Sequence, residues 1–157
     1  MMDRETLLEG RRFKVVRHGY RTPDGRQHIR ETVMHPGAVA ILPMVDDDHV
    51  CLIRNYRASV DLTLVELPAG TLEPGEDPRH CAERELEEET GYRARSVERL
   101  CEFFMSPGIL DERMHVFLAT GLEAGEQNLD SGEQIEKLVV PWDEALAMAQ
   151  DGRIQDA

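Results

Sequence analysis

Cysteine is scarce in this chain of 157 residues, and its three copies, Cys51, Cys81 and Cys101, are spaced like neither a disulfide framework nor a zinc pair. They read as reduced packing residues, which places the protein in the cytoplasm as an expectation. No apolar run approaches the ~18 residues needed to span a bilayer, so no membrane partner is expected. Met1 to Arg12 mixes acidic with basic residues and lacks the apolar centre of a secretory signal. Basic residues are also in deficit, with 18 Lys and Arg against 31 Asp and Glu, a formal charge of −13. Nucleic-acid backbones are bound by cationic patches that displace counterions, so DNA and RNA are excluded as expected partners. An acidic protein can still hold a small phosphate compound if its carboxylates bind divalent cations that in turn contact the phosphates.

What is present, 41% hydrophobic and 31% charged residues, suits one soluble domain over residues 1–157. Alternation predicts strands at 11–18 and 27–35 around the turn Thr22-Pro23-Asp24-Gly25, an amino-terminal hairpin. The apolar run Ala38 to Val45, the acidic turn Asp46-Asp47-Asp48 and the strand His49 to Tyr56 read as a second, buried hairpin. A short strand, Leu62 to Leu67, ends at Pro68-Ala69-Gly70, and a loop runs on to Glu76. Asp77-Pro78 is a helix start and Gly91 a stop, which predicts a helix over 78–90. Extended segments follow at 94–104, 113–120 and 134–140, then a helix at 142–150. With no repeat or linker, the order of elements describes a mixed α/β sandwich. Gly152 to Ala157 resembles the lead-in to one more helix.

The 78–90 helix carries the chemistry. Glu85, Glu88 and Glu89 lie at helical spacings of three and four, so three carboxylates project from one side. A solvated acidic face is the ordinary meaning of such a run. Against it, like charges at these spacings cost an isolated helix about 0.2–0.5 kcal/mol per pair, a penalty that bound cations remove. Pro78, Cys81 and Ala82 also fall beside Glu85 and Glu89 on the helical wheel, so the carboxylates turn toward the protein body. Carboxylate oxygens without clustered His or Cys suit Mg²⁺ or Mn²⁺ rather than zinc.

Gly70, Glu76, Arg84, Glu85, Glu88, Glu89 and Gly91 stand at the fixed positions of a pattern that resembles the Nudix box, with Leu86 at one aliphatic place and Tyr92 departing at the other. The resemblance implies an α/β/α sandwich with a mixed sheet and an amino-terminal β-hairpin extension, and hydrolysis of a diphosphate with Mg²⁺, or Mn²⁺, as cofactor. It also implies Glu85 and Glu89 as the main metal ligands, with Glu88 and the Ala69 carbonyl beside them. Arg84 would orient a carboxylate, or else be a surface ion pair worth little.

Outside the box, Phe103 to Glu112 contains Ser106-Pro107-Gly108, and Pro107, sixteen residues past Gly91, resembles the marker of the ADP-ribose pyrophosphatase subgroup. His35 to Ala40, Ile53 to Arg57 and Val65 to Gly70 are similar to that subgroup too. The implied substrate is a nucleoside diphosphate sugar, first ADP-ribose, cleaved to AMP and ribose 5-phosphate. GDP-mannose and other sugar nucleotides remain the alternative, and Ser106-Pro107-Gly108 is equally an ordinary tight turn. Arg57 and Arg54 offer planar donors for phosphate oxygens, or are strand-edge charges. Glu66 and Glu112 are candidate acceptors for adenine or ribose hydrogen bonds. A late-loop glutamate assists the attack in relatives. Glu133, beside Gly132 in a loop, is the choice over Glu136, which follows the strand residue Ile135. Relatives with such amino-terminal strands are commonly homodimers, so the strands at about 11–35 are expected in a dimer contact, with Arg30 and Glu31 near a shared nucleoside site. Two rival readings are a catalytically silent nucleotide-sensing module and a hydrolase of nucleoside triphosphates.

Overall fold

The computed structural model describes residues 4–156; Met1, Met2, Asp3 and Ala157, which the sequence reading includes in its single domain, lie outside the described residues. Three sheets and two helices make up the described residues. The amino-terminal sheet has three strands, β1 (Arg4–Glu9), β2 (Lys14–Arg21) and β3 (Gln27–Met34), in that order. The expected hairpin is therefore only its second half. β1 was illegible because all six of its residues are exposed, so no alternation of burial marks it.

β4 (Ala38–Pro43) and β5 (His49–Arg57) do not form the expected hairpin. β4 runs parallel to β9 (Arg113–Ala124) and antiparallel to β7 (Ala69–Thr71), with β8 (Tyr92–Phe104) completing a mixed sheet in the order β7-β4-β9-β8. Both hydrogen-bonding edges of β4 are taken, so the chain crosses over after Met44. β5 then pairs between β10 (Ile135–Pro141) and β6 (Leu62–Glu66). Of the predicted pairing, the bridge between Met44 and Val50 and the hydrogen bond from the Val45 amide to the His49 carbonyl survive at the turn. β7 itself replaces the start of the predicted loop after Pro68.

Helix α1 (Pro78–Thr90) occupies the predicted span. The Asp77 carboxylate accepts from the Arg79 and His80 amides, proline starts the first turn, and Gly91 closes the helix at φ 73°. Its apolar stripe, Cys81, Ala82 and Leu86, packs on Val39, Ile41, Val97, Phe117 and Ala119 of the mixed sheet. Helix α2 (Trp142–Asp151) covers the other side, where Ala145 and Met148 meet Val50, Leu52, Leu42, Leu138 and Val140. Neighbouring β4 residues thus feed opposite cores, Ile41 toward α1 and Leu42 toward α2. This makes a layered α/β/α arrangement with mixed strands, as the box resemblance implied. Among the described residues no helix is long and apolar enough to cross a membrane.

Gly91 has a second duty. A β-carbon there would lie 2.7 Å from the Gly125 carbonyl oxygen and 2.9 Å from the Glu126 carbonyl carbon, both backbone atoms that cannot swing aside. Gly91→Ala is therefore expected to cost about 2 kcal/mol or more, from the left-handed conformation plus the contact. Denaturant unfolding checks this, and a loss near zero would mean that the 125–127 segment relaxes freely.

Candidate active site

A cavity of about 530 Å³ lies where α1, β7 and the ends of β4, β5 and β9 meet the 105–112 and 129–134 loops. Helical spacing brings Glu85, Glu88 and Glu89 to its wall, and Glu133 lines the same cavity. β7 passes so close under α1 that a β-carbon on Gly70 would fall 1.9 Å from the Glu85 carboxyl carbon, so glycine there is what seats Glu85 in the cavity wall. Glu89 is 3% exposed, and one of its oxygens accepts from the Ala69 amide at 2.9 Å.

Burial pushes the Glu85 carboxyl up to about 7, against the pull of the neighbouring Arg84 guanidinium, and the charges of Glu88 and Glu133 add to the push. Burial likewise raises Glu89 to about 8, opposed by the Ala69 amide and reinforced by Glu85 and Glu133. Arg84 is the local counter-charge. It reaches Glu76 at 3.0 Å, Glu85 at 2.8 Å and Glu88 at 3.0 Å. Its hydrogen bonds hold Glu76 down at about 2, although burial works the other way. Glu76 is thereby an ionised anchor for Arg84, which in turn spreads Glu85 and Glu88 along the helix face.

The donor set here is carboxylate oxygen with a backbone carbonyl within reach at Ala69, which suits a hard divalent cation. Half-buried Glu85 shares Arg84 with Glu76 and Glu88, and buried Glu89 has no ion-pair partner among the described residues, so the pair is under-compensated by protein charge, which fits a cation-binding role. Among the described residues no three acidic, His or Cys side chains are already drawn around one point. Glu85 and Glu88 lean on Arg84 while Glu89 leans on Ala69, so ligation requires rotation of side chains about a fixed helix.

The remaining predicted residues divide. Arg57 lines the cavity, and its Nε and Nη2 grip both oxygens of Glu66 at 2.8 and 2.6 Å. Glu66 is 1% exposed and lies outside the cavity wall, so its oxygens serve Arg57 in place of the expected sugar-nucleotide contact. Arg54, three residues before Arg57 on a strand, faces the other side, reaches Glu136 at 3.5 Å and is absent from the cavity. Glu136 leaves with it, while Glu133 lines the wall. Glu112 also lines it, 3.3 Å from His35 Nδ1. Pro107 is exposed in a turn closed by the Ile109 and Leu110 amides on the Ser106 carbonyl; the ends of this loop, Met105 and Glu112, touch the cavity instead.

Sequence reasoning missed Asn55, Arg11, Arg12, Asp130 and Asp156, which also line the cavity. Asn55 is two residues from Arg57 on β5, so strand alternation was a usable signal. Arg11 and Arg12 come from the β1–β2 connection, and no local pattern announces them.

The NUDIX domain family matches residues 34–156. This chain belongs to the NUDIX family. Its relatives include an ADP-ribose pyrophosphatase of Bacillus subtilis (strain 168), 38% identical over 98% of this chain and 84% of the relative. A methanol dehydrogenase activator of Bacillus methanolicus is 40% identical over the same shares, 98% and 84%. A crystal structure of an ADP compounds hydrolase superimposes with a TM-score of 0.85 at 27% identity, covering 98% of this chain and 84% of the other.

Helix α1, which lies inside the matched span, supplies the cavity's acidic wall, and Arg57 lines the same cavity. Arg57→Leu leaves Glu66 buried without its partner and is expected to destabilise the fold by about 2 kcal/mol. The double variant Arg57→Leu/Glu66→Leu should recover most of that stability in thermal melts. A double variant no more stable than the single one would show that the pair is not the cause.

Proposed function

We propose that this chain is a NUDIX pyrophosphatase that hydrolyses the diphosphate of nucleoside diphosphate sugars, ADP-ribose first, using Mg²⁺ and working as a cytoplasmic homodimer. The observation that carries the reading is that Glu85, Glu88 and Glu89 of one helix line a single cavity together with Glu133 and Arg57. The relatives' names supply the substrate class, an ADP-ribose pyrophosphatase and an ADP compounds hydrolase.

Glu85, Glu88, Glu89 and the Ala69 carbonyl would hold the cation, which supplies Lewis acidity toward the diphosphate and lowers the pKa of water. The protein's own residues do the rest. Arg57, braced by Glu66, presents Nη1 to a phosphate oxygen and fixes the diphosphate against the acidic wall. Glu133 accepts the proton of the water that attacks phosphorus, while the bridging oxygen leaves with the other phosphate. Arg84, tied to Glu76, holds Glu85 and Glu88 at the cavity wall, from which they turn to a cation.

Charge segregation supports the dimer. Residues 4–34 hold eight Lys and Arg against four Asp and Glu, while the whole chain is at −13. This basic sheet exposes Leu7, Leu8, Phe13 and Ile29, and Phe103 and Phe104 are exposed on β8 of the acidic body. A second copy offers surface of matching charge and apolarity to each. Sedimentation is expected to give twice the chain mass. The three cysteines are free thiols, two of them buried, consistent with a reducing compartment.

The deciding experiment is a panel of ADP-ribose, GDP-mannose and nucleoside triphosphates with Mg²⁺ or with chelator. AMP and ribose 5-phosphate formed only with metal is the expected result; pyrophosphate release from triphosphates as the main activity would overturn it. The relative named for activating methanol dehydrogenase favours a regulatory role as the second reading. No turnover of any free sugar nucleotide, with metal bound, would favour that one.

A further inference from the structure

The last turn of a helix leaves carbonyl oxygens without intrahelical partners, and α1 carries no basic residue in its last turn. Each of these oxygens is nevertheless taken. The Glu87 oxygen accepts from the Gly91 amide at 2.8 Å and the Glu88 oxygen from the Asn128 amide at 3.0 Å. The Glu89 oxygen accepts from the Gln127 side-chain amide, and the Thr90 oxygen from the Lys137 ammonium at 3.0 Å. Three of the four partners come from the single segment 127–137. That segment is pressed against the helix end, since a β-carbon on Gly125 would lie 2.8 Å from the Gly91 oxygen. The Lys137 ammonium also sits 4.5 Å from the centroid of the Tyr92 ring, just past the helix.

Between Asn128 and β10 the chain makes the loop that bears Glu133. Inside it the Glu133 amide donates to the Asp130 carbonyl, and the Asp130 amide donates to the Glu133 carboxylate. Both stems of this loop are therefore fastened to the same helix end: Gln127 and Asn128 on one side, Lys137 on the other. β10 also pairs with β5, so beyond its sheet stem the loop has a second attachment, to the helix whose carboxylates line the same cavity as Glu133.

We propose that Gln127 and Lys137 are positioning residues that fasten the Glu133 loop to the carboxyl end of α1, so that Glu133 keeps a fixed place relative to Glu85 and Glu89. The proposal rests on the reading of Glu133 given above. Gln127 is exposed, and its truncation leaves no cavity; Lys137→Met keeps the aliphatic stem and removes the ammonium, with its hydrogen bond to Thr90 and its contact with the Tyr92 ring.

The test is a double-mutant cycle under saturating Mg²⁺ with Gln127→Ala, Lys137→Met, Glu133→Gln and the two pairings with Glu133→Gln. Each anchor variant is expected to lose about tenfold in kcat, with KM held within about twofold. In the Glu133→Gln background the same changes should cost nothing further. Losses that multiply, or anchor variants with unchanged kcat, would overturn the proposal. Amide hydrogen exchange of the metal-free protein gives an independent reading: faster exchange at Asn128 and Glu133 in the anchor variants is expected. If Glu133→Gln turns over normally, the catalytic reading of Glu133 falls and exchange alone decides the anchoring, with unchanged protection rejecting it.

Discussion

Glu89→Gln is expected to slow metal-dependent hydrolysis by on the order of 10³-fold while leaving the metal-free protein no less stable than the parent. The first half follows from the cation's task. Charge stabilisation worth several kcal/mol is lost with a ligand, at about 1.4 kcal/mol per factor of ten in rate. The second half follows from burial. Glu89 is 3% exposed and its pKa is raised to about 8, so the folded chain works against its charge at neutral pH. Glutamine removes that charge and keeps the oxygen that accepts from the Ala69 amide. Glu85→Gln should behave alike in rate, because Glu85 lines the same cavity. The measurements are initial rates against metal concentration and thermal melts in chelator. A variant that unfolds early without metal would mean that Glu89 is a structural anchor, and one with parental rates would remove it from the site.

Activity and stability thus pull against each other along one helix face, as expected where acidic groups are kept in a half-buried wall for a ligand. The surrounding pairs limit the cost. Glu76 neutralises Arg84 before Arg84 meets Glu85 and Glu88, and Glu66 does the same for Arg57. Each arginine is held by a carboxylate that faces away from the chemistry and remains available to one that faces it.

How much of this was legible depended on how local the cause was. α1 was readable to the residue because Asp77, Pro78 and Gly91 act within one turn of its ends. The three glutamates followed from helical spacing alone. Arg54 and Arg57 could have been separated by the same logic, since residues three apart on a strand face opposite ways. The hairpin expected across Asp46-Asp47-Asp48 failed because β4 takes its partners from β7 and from β9, some seventy residues on. No turn signal reports a competitor that distant. The pairing of Glu66 was hidden for a related reason. A carboxylate on a strand looks like a ligand group until the neighbouring strand puts Arg57 over it. Gln127 and Lys137 carry no pattern at all, because the helix end they serve is defined only in three dimensions.

Between pH 6.5 and 8.5 the metal-free protein is expected to lose about 2 kcal/mol of stability, a fall in Tm of roughly 5 °C. A carboxyl with a higher pKa in the folded state than its ordinary 4.5 holds its proton more tightly when folded. Its stabilising contribution is complete below about 4.5 and disappears as pH rises through the folded value, here about 7 for Glu85 and about 8 for Glu89. Other groups leave this window clear. His115, lowered by burial, adds stability only as pH rises toward 6.5, and Glu76 acts below 4.5, where its pKa of about 2 matters. The buried thiols of Cys51 and Cys81 are pushed up to about 11 and about 12, and the ordinary thiol value of 9.0 lies above the window. Saturating Mg²⁺ should reverse the trend, because a cation competes with these protons and gains affinity as they leave. The rise in Tm on adding metal should therefore grow with pH across the same interval. A metal-free Tm that is flat or climbs between pH 6.5 and 8.5 would mean that Glu85 and Glu89 are better solvated than their burial implies, and the acidic wall would lose its claim to be a site held ready for a cation.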